Sequence, residues 1–161
     1  MPNYKRSDLR NYLGRYFPAR RHLKSLYKRA AAIKYEMEHP TVGSIKLDGM
    51  PRSGRISDPT PLLLERYESA LEKIENQKLC IEHIKSNTQT VLDFLLDGTD
   101  NKNIMELKYI DGKTDKEIQK IFYFSDRSTV NYHINQALDE LLCISEVQHI
   151  IQQFKEHGDI Q

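Results

Sequence analysis

The chain has 161 residues, enough to bury the core of one ordinary domain or of two small ones. Charged residues make up 29% of it and only seven residues are Gly and six Pro, a composition typical of helical proteins. No apolar run approaches the ~20 residues that cross a membrane, and no signal peptide is recognisable. These features predict a cytoplasmic protein without a membrane partner, whose two cysteines stay reduced.

The net charge of +1 hides an uneven distribution along the chain. Residues 1–34 contain ten Lys and Arg and a single acid, Asp8, so this segment carries +9 and the remainder −8. Such a segment indicates a surface for nucleic acid, or a solvated helix face that docks on a protein.

Residues 1–38 are predicted to form a pair of basic helices. Ser7 or Asp8 is expected to cap the first, and Pro18 to lie in the first turn of the second. The second helix should bury a face whose residues recur at steps of three and four, with its Lys and Arg opposite. That face consists of Leu23, Leu26, Tyr27, Ala30, Ile33 and Met37.

Residues 39–60 are predicted to form a Pro/Gly linker, since His39 to Pro61 holds four of the six prolines. A long helix is then expected over residues 61–97, with Thr60 as its cap and Ser86 to Thr88 as a candidate break. Its apolar positions form a heptad seam, which should pack on the N-terminal helices, on a second copy of the chain, or on both. The seam consists of Leu63, Tyr67, Ala70, Ile74, Gln77, Ile81, Ile84, Thr88, Val91 and Leu95.

Residues 101–144 are predicted to contain three helices in quick succession. The first runs from Asn101 to Tyr109 and is followed by a turn at Asp111–Gly112. Thr114 and Glu117 have the spacing of a capping box and should open the second helix. Its inward side chains are expected to be Ile118 and Ile121. A separate C-terminal helix is predicted over residues 145–157.

The third helix should begin between Ser125 and Ser128, with either serine as its cap. Its inner face is predicted to consist of Val130, Ile134, Ala137 and Leu141, and its outer face of Ser128, Asn131, Tyr132, Asn135, Gln136 and Asp139. Asn, Gln, Ser and Tyr can both donate and accept hydrogen bonds, which matches base edges in the major groove. The alternative is an amphipathic helix whose outer face is merely polar.

Two resemblances bear on this choice. The segment Tyr109–Thr114, followed by Glu117-Ile118, Ser125, Thr129-Val130 and Ala137-Leu138, resembles the promoter-reading final region of sigma-70 factors across residues 107–141. The interval from Ser125 to Val130 is one residue longer than is common in that family. The resemblance implies a helix-turn-helix that binds double-stranded DNA.

The wider chain is similar to phage-encoded regulators of the RinA and ArpU type across most of residues 5–141. The similarity lies in the basic N-terminal pair, Asp48 to Arg52, Ser57 to Pro59, the long helix and the sigma-like end. It implies a transcriptional activator of phage late genes, for packaging, structure or lysis, that acts with bacterial RNA polymerase in the host cytoplasm. Two alternatives remain: the small terminase subunit, which recognises packaging-site DNA, and a helical adaptor that binds only polymerase.

The candidate DNA-binding residues follow from the motif and its outer face. They are Lys113, Thr114, Arg127, Ser128, Thr129, Asn131, Tyr132, Asn135 and Gln136. Because Lys and Arg on phosphates dominate affinity for duplex DNA, the basic N-terminal segment could add attraction that the third helix lacks. The candidates for phosphate or polymerase contact are Arg20, Arg21, Lys24 and Lys28. No catalytic residue, metal ligand or cofactor is expected.

Overall fold

The structure is a computed structural model that describes residues 5–39 and 60–158, and every regular element in them is an α-helix. The predicted all-α class is therefore confirmed for these residues. Most of the predicted linker, residues 40–59, lies outside them. No helix in the described part of the chain is long and apolar enough to cross a membrane. The helices are α1 (Arg6–Leu13), α2 (Tyr16–Glu38), α3 (Thr60–Leu92), α4 (Asp100–Tyr109), α5 (Asp115–Ile121), α6 (Arg127–Leu142) and α7 (Ser145–His157).

The described residues divide into two compact units. The first unit comprises residues 5–20 and 79–158, and the second comprises residues 21–39 and 60–78. The first therefore contains α1 and α4 to α7 together with the adjoining ends of α2 and α3, while the second contains the rest of α2 and α3.

The core of the first unit is centred on α6, which packs against α1, α4, α5 and α7. The predicted inner face of α6 is confirmed, and Leu138 joins it because it lies beside Ala137 and Leu141 on the helix. Around α6, buried side chains arrive from every neighbouring helix. They include Leu9 and Leu13 of α1, Ile104 and Met105 of α4, Ile118 of α5, and Val147 and Ile151 of α7.

The second unit has a much smaller core. Leu26, Ala30 and Ile74 are its buried hydrophobic residues, and Leu23, Tyr67 and Ala70 pack against them from half-buried positions. The expectation that Tyr27 is buried is wrong, since its side chain is 47% exposed. Tyr27 lies next to Leu26 on the helix, and a single facing helix does not cover so wide a stripe.

The seam predicted along α3 is the less exposed side of the chain from Leu63 to Leu95, since all ten of its residues are buried or half-buried. The helix continues without a break through Ser86 to Thr88, and it ends at Leu92 rather than at residue 97. A turn follows it, in which Gly98 has φ +76°.

Two details at the ends of helices affect the site. Neither Ser7 nor Asp8 is the N-cap of α1, because the helix begins at Arg6 with Lys5 as its N-cap and Asp8 in the third helical position of a capping box. The Asp8 carboxylate instead accepts a hydrogen bond from the Lys5 backbone N–H at 3.0 Å. Before α5, Gly112 has φ +72°, and a Cβ there would stand 2.5 Å from Cε1 of Phe17. The turn thus requires glycine for both its backbone conformation and the close approach of a ring.

Candidate nucleic-acid interface

The start of α5 is fixed by the predicted capping box. The Thr114 hydroxyl oxygen accepts from the Glu117 backbone N–H at 3.3 Å, and the Glu117 carboxylate accepts from the Thr114 backbone N–H at 2.8 Å. This backbone hydrogen bond, with that of the Thr114 hydroxyl, lowers the pKa of Glu117. Ile118 is buried as expected, but the expectation for Ile121 is wrong: it is 48% exposed, because α5 ends there.

The connection between α5 and α6 is a short aromatic turn. Phe122 and Phe124 stack with their ring centroids 5.4 Å apart and pack against the core. Tyr123, between them, has φ +55° and is 93% exposed. Gln119 donates from Nε2 to the backbone carbonyls of Phe124, at 3.2 Å, and Ser125, at 3.4 Å. This turn is held by a side chain that the sequence pattern did not single out.

The start of α6 is capped by Asp126, not by Ser125 or Ser128 as expected. The Asp126 carboxylate accepts from the Ser128 backbone N–H at 3.1 Å and from the Ser128 hydroxyl at 2.7 Å. The bond from that hydroxyl is the largest of the effects that lower the pKa of Asp126. Asp is as good an N-cap as Ser, and it lies one residue before the first helical position. The candidate face therefore carries a negative charge at its start.

The outward face of the N-terminal half of α6 is open to solvent in the described residues. Arg127, Ser128, Asn131 and Tyr132 are exposed and Thr129 is half-buried, while Gln136, further along the helix, is exposed as well. Tyr132 is 65% exposed, and the edge of its ring meets His133 with centroids 5.7 Å apart. The structure thus brings these sequence-predicted residues together on one helix face.

In its C-terminal half the same face is contacted by α1, at Asn135 and Asp139. Arg10 Nη2 donates to Asn135 Oδ1 at 2.6 Å. One turn further on, Arg6 donates from Nε and Nη2 to the two carboxylate oxygens of Asp139, each at 2.6 Å. The hydrogen bond from Arg6 is the main reason that the pKa of Asp139 lies below its usual value. Asn135 was predicted to lie outward, and its contact with α1 was not predicted from the sequence.

Contacts on the other side of α1 fix its position. Leu9 and Leu13 are fully buried, and the Asp8 carboxylate accepts a hydrogen bond from Lys155 Nζ of α7 at 2.7 Å. The Tyr12 ring meets Phe154 of α7 edge to face, with centroids 5.4 Å apart. α1 is therefore held between α6 and α7 by apolar burial and by ion pairs.

A polar bridge joins α6 to α4 on the flank of the candidate face. His133 Nδ1 lies 2.8 Å from Asn101 Oδ1, and Asn101 Nδ2 donates to Glu140 Oε1 at 3.0 Å. The His133 ring also stacks on Phe124 with an interplanar angle of 9°. These contacts fix the rotation of α6 about its axis relative to the turn and to α4.

The basic candidates are distributed unevenly. Lys113 is exposed at the turn before α5, while the Lys108 ammonium is paired with Asp115 at 2.6 Å. On α2, Arg20 lies in the first unit, and Arg21, Lys24 and Lys28 lie in the second. All four are exposed. Their proposed role therefore rests on charge rather than on a shared site with α6.

Within the described residues, no group of three or more His, Cys, Asp or Glu could hold a metal ion. The two cysteines, Cys80 and Cys143, are free thiols. No family model, no curated protein and no solved structure matches the chain. What the protein does must therefore be inferred from its own residues.

Proposed function

We propose that the protein is a sequence-specific DNA-binding regulator of transcription, in which α5, the aromatic turn and α6 act as a helix-turn-helix with α6 as the recognition helix. The observation that carries the proposal is the composition of the open face of α6. Its exposed side chains are Arg127, Ser128, Asn131, Tyr132 and Gln136.

A helix face that is merely solvated is usually rich in Glu and Lys. Between Arg127 and Gln136 there is no acid on α6, and most of the exposed side chains can donate or accept hydrogen bonds. Each base pair presents a distinct pattern of donors and acceptors in the major groove, and these side-chain types match it. The N-terminal part of a recognition helix is also the part that meets base edges. The open half of α6 is its N-terminal half.

The opposite face of α6 suits it to hold base-reading groups in place. Val130, Ala137, Leu138 and Leu141 are fully buried, and the bridge to Asn101 blocks rotation of the helix. A binding site on a rigid element loses less entropy when it meets its ligand. This arrangement supports specific readout rather than adaptable protein docking.

The affinity must come largely from elsewhere. The Asp126 carboxylate at the start of α6 repels phosphate, and Arg127 is the one Lys or Arg in the helix. The four exposed basic residues of α2 are the proposed source: Arg20, Arg21, Lys24 and Lys28. On the phage-regulator resemblance we extend the proposal to activation of late genes with bacterial RNA polymerase, and to self-association through α3.

The base-reading role is tested with a random-sequence duplex library from which the full chain selects its preferred site. Asn131→Ala should weaken binding to that site by on the order of 1–3 kcal/mol and leave binding to unrelated DNA almost unchanged. Asn103→Ala, the same change at an exposed position of α4, is the matched control. A chain that enriches no sequence at all would overturn the proposed function.

The source of affinity is tested by the salt dependence of binding. Each phosphate that is neutralised adds about 0.9 to the slope of log affinity against log salt. Replacing Arg20, Arg21, Lys24 and Lys28 together with Gln should flatten that slope by as much as roughly 3 and weaken all sequences alike. Three exposed basic residues of α3, replaced by Gln, form the control: Arg66, Lys73 and Lys85. An unchanged slope with loss of transcription in a polymerase assay would instead assign α2 to polymerase docking.

A further inference from the structure

We infer that Arg10 of α1 and Asn135 of α6 form a composite base-reading pair, which selects guanine where Asn135 alone would select adenine. The inference rests on the proposed function, and it adds to the motif a residue that lies 125 positions away in the chain. It follows from which atoms of the Asn135 amide remain available for DNA.

The contact fixes the orientation of the Asn135 amide. Arg10 Nη2 lies 2.6 Å from Asn135 Oδ1. A guanidinium group has hydrogen-bond donors and no acceptor, so it must face the oxygen of the amide and not its nitrogen. One of the two lone pairs of Asn135 Oδ1 is thereby engaged by a cationic donor, while the N–H donors of its nitrogen remain available to a base.

The same contact weakens the pattern that adenine requires, because the Arg10 guanidinium stands beside the acceptor oxygen. A free Asn reads adenine bidentately, since its oxygen accepts from the adenine amino group while its nitrogen donates to N7. In this protein, an adenine amino group that approached Asn135 Oδ1 would meet the N–H donors of Arg10. Two donors that face each other repel, so the contact with adenine is disfavoured.

Guanine presents the complementary pattern. Its major-groove edge offers N7 and O6, which are both acceptors, and Arg is its commonest partner. The Asn135 nitrogen and the remaining N–H groups of the Arg10 guanidinium form a row of donors. Arg10 is exposed and Asn135 is half-buried, so the row lies at the surface, at the edge of the open half of α6.

Arg10 is held in place before DNA arrives. α1 is anchored by the burial of Leu9 and Leu13 and by the two hydrogen bonds between Arg6 and Asp139. One turn earlier on α6, no hydrogen bond reaches the Asn131 side chain from any described residue. The two asparagines of α6 are therefore expected to read different bases, adenine at Asn131 and guanine at Asn135.

The test compares base preferences of full-length variants on the same random-sequence duplex library. At one base pair of the selected site, Arg10→Ala should reduce the preference for guanine over adenine by on the order of tenfold, and can reverse it. Arg10→Lys retains a cationic donor and should keep guanine. Because Arg10 is exposed, both variants should melt close to the wild type, which circular dichroism checks.

Arg6→Ala is the matched control, since it removes the same charge from α1 but breaks a contact with an acid rather than with an amide. It should weaken binding to all sequences without changing the preferred base, because the burial of Leu9 and Leu13 still anchors α1. Duplexes in which the selected guanine lacks N7 should bind the wild type more weakly than the selected duplex does. The Arg10→Ala variant should bind these two duplexes equally well. If Arg10→Ala and Arg6→Ala weaken binding to all sequences equally and leave the base preference intact, Arg10 only supports Asn135 and does not read a base. If the wild type enriches no sequence, the proposed function itself fails.

Discussion

The two compact units of this protein differ in what their helices do with their side chains. In the first unit, seventeen hydrophobic residues form one buried cluster to which α1, α3 and every helix from α4 to α7 contribute. In the second unit, the corresponding cluster is Leu26, Ala30 and Ile74. Burial of apolar area is the main favourable term in folding, so the stability of the chain resides chiefly in the first unit.

Their charged groups differ in the same way. In the first unit, ionic groups pair across helices, as Arg6 does with Asp139 and Lys155 with Asp8. In the second unit, the ion pairs of the described residues link neighbours on one helix, Lys34 with Glu38 and Lys78 with Glu75. The first unit thus uses charge to fix tertiary structure, while α2 presents exposed Arg21, Lys24 and Lys28.

The largest expected effect on stability comes from replacing a buried Leu by Ala in the core of each unit. Leu138→Ala removes a fully buried side chain from the centre of the first unit and should reduce the free energy of unfolding by about 2–5 kcal/mol. Leu26→Ala, in the second unit, should cost about 2 kcal/mol or less, since two facing helices can close a gap more readily than a packed cluster.

Urea unfolding, followed by the helical circular dichroism signal, gives both values. Equal losses for the two variants would show that the second unit contributes as much to stability as the first. A loss from Leu26→Ala without a fall in the cooperativity of the transition would show that the units unfold together.

A smaller effect separates backbone strain from packing within the first unit. Gly98 and Gly112 both have positive φ, but a Cβ at Gly98 would meet nothing within 4 Å, whereas at Gly112 it would stand against the Phe17 ring. Gly98→Ala should cost about 1 kcal/mol through its conformation alone. Gly112→Ala should cost more by about 1–2 kcal/mol, because the Phe17 ring must move.

The difference between the two melting temperatures measures the contribution of that ring. Adding Phe17→Leu to Gly112→Ala gives the ring's replacement more room and should bring the cost of the alanine closer to that at Gly98. If the cost remains the same with Leu at position 17, the clash is not its source.

Much of the helical framework was predictable because it follows from the spacing of apolar and capping residues that are near one another in the sequence. The inward stripes of α3 and α6 follow from steps of three and four residues, and the cap at Thr114 from its interval to Glu117. The cap at Asp126 was missed because three neighbouring residues, Ser125, Asp126 and Ser128, all suit an N-cap. Sequence ranks such residues almost equally, and packing decides among them.

The contacts that complete the candidate site were not predictable in this way. Periodicity gives the direction of a face but not the width that a neighbour covers, so Tyr27 and Ile121 were wrongly expected to be buried. Arg10 and Asn135 are 125 residues apart, and nothing in either segment indicates the other. The basic charge of residues 1–34 was visible in the sequence. Only the structure shows that α1 contacts α6, while α2 is divided between the two units.

The smallest expected effect concerns pH, and it should again distinguish the units. Hydrogen bonds lower the pKa of several carboxyl groups in the first unit, chiefly those from Lys155 to Asp8 and from Arg6 to Asp139. A carboxyl whose pKa is lower in the folded state adds stability above its unfolded pKa of about 4. That stability is lost as the pH falls through the folded value. In the second unit, the hydrogen bond to Glu75 raises the pKa of Lys78, so its contribution is lost only as the pH rises through that value.

The urea midpoint of the wild type should therefore fall as the pH is lowered from 5 to 3, with the first unit responsible. Asp8→Asn combined with Asp139→Asn removes two carboxyls that tie α1 to α7 and α6, and should flatten this fall. Lys78→Gln, in the second unit, should leave the fall of the midpoint between pH 5 and 3 unchanged. If the midpoint falls as steeply in the double variant as in the wild type, the ion pairs that join α1 to α7 and α6 do not contribute to stability. Arg10 would then be held against Asn135 by apolar burial of α1 alone.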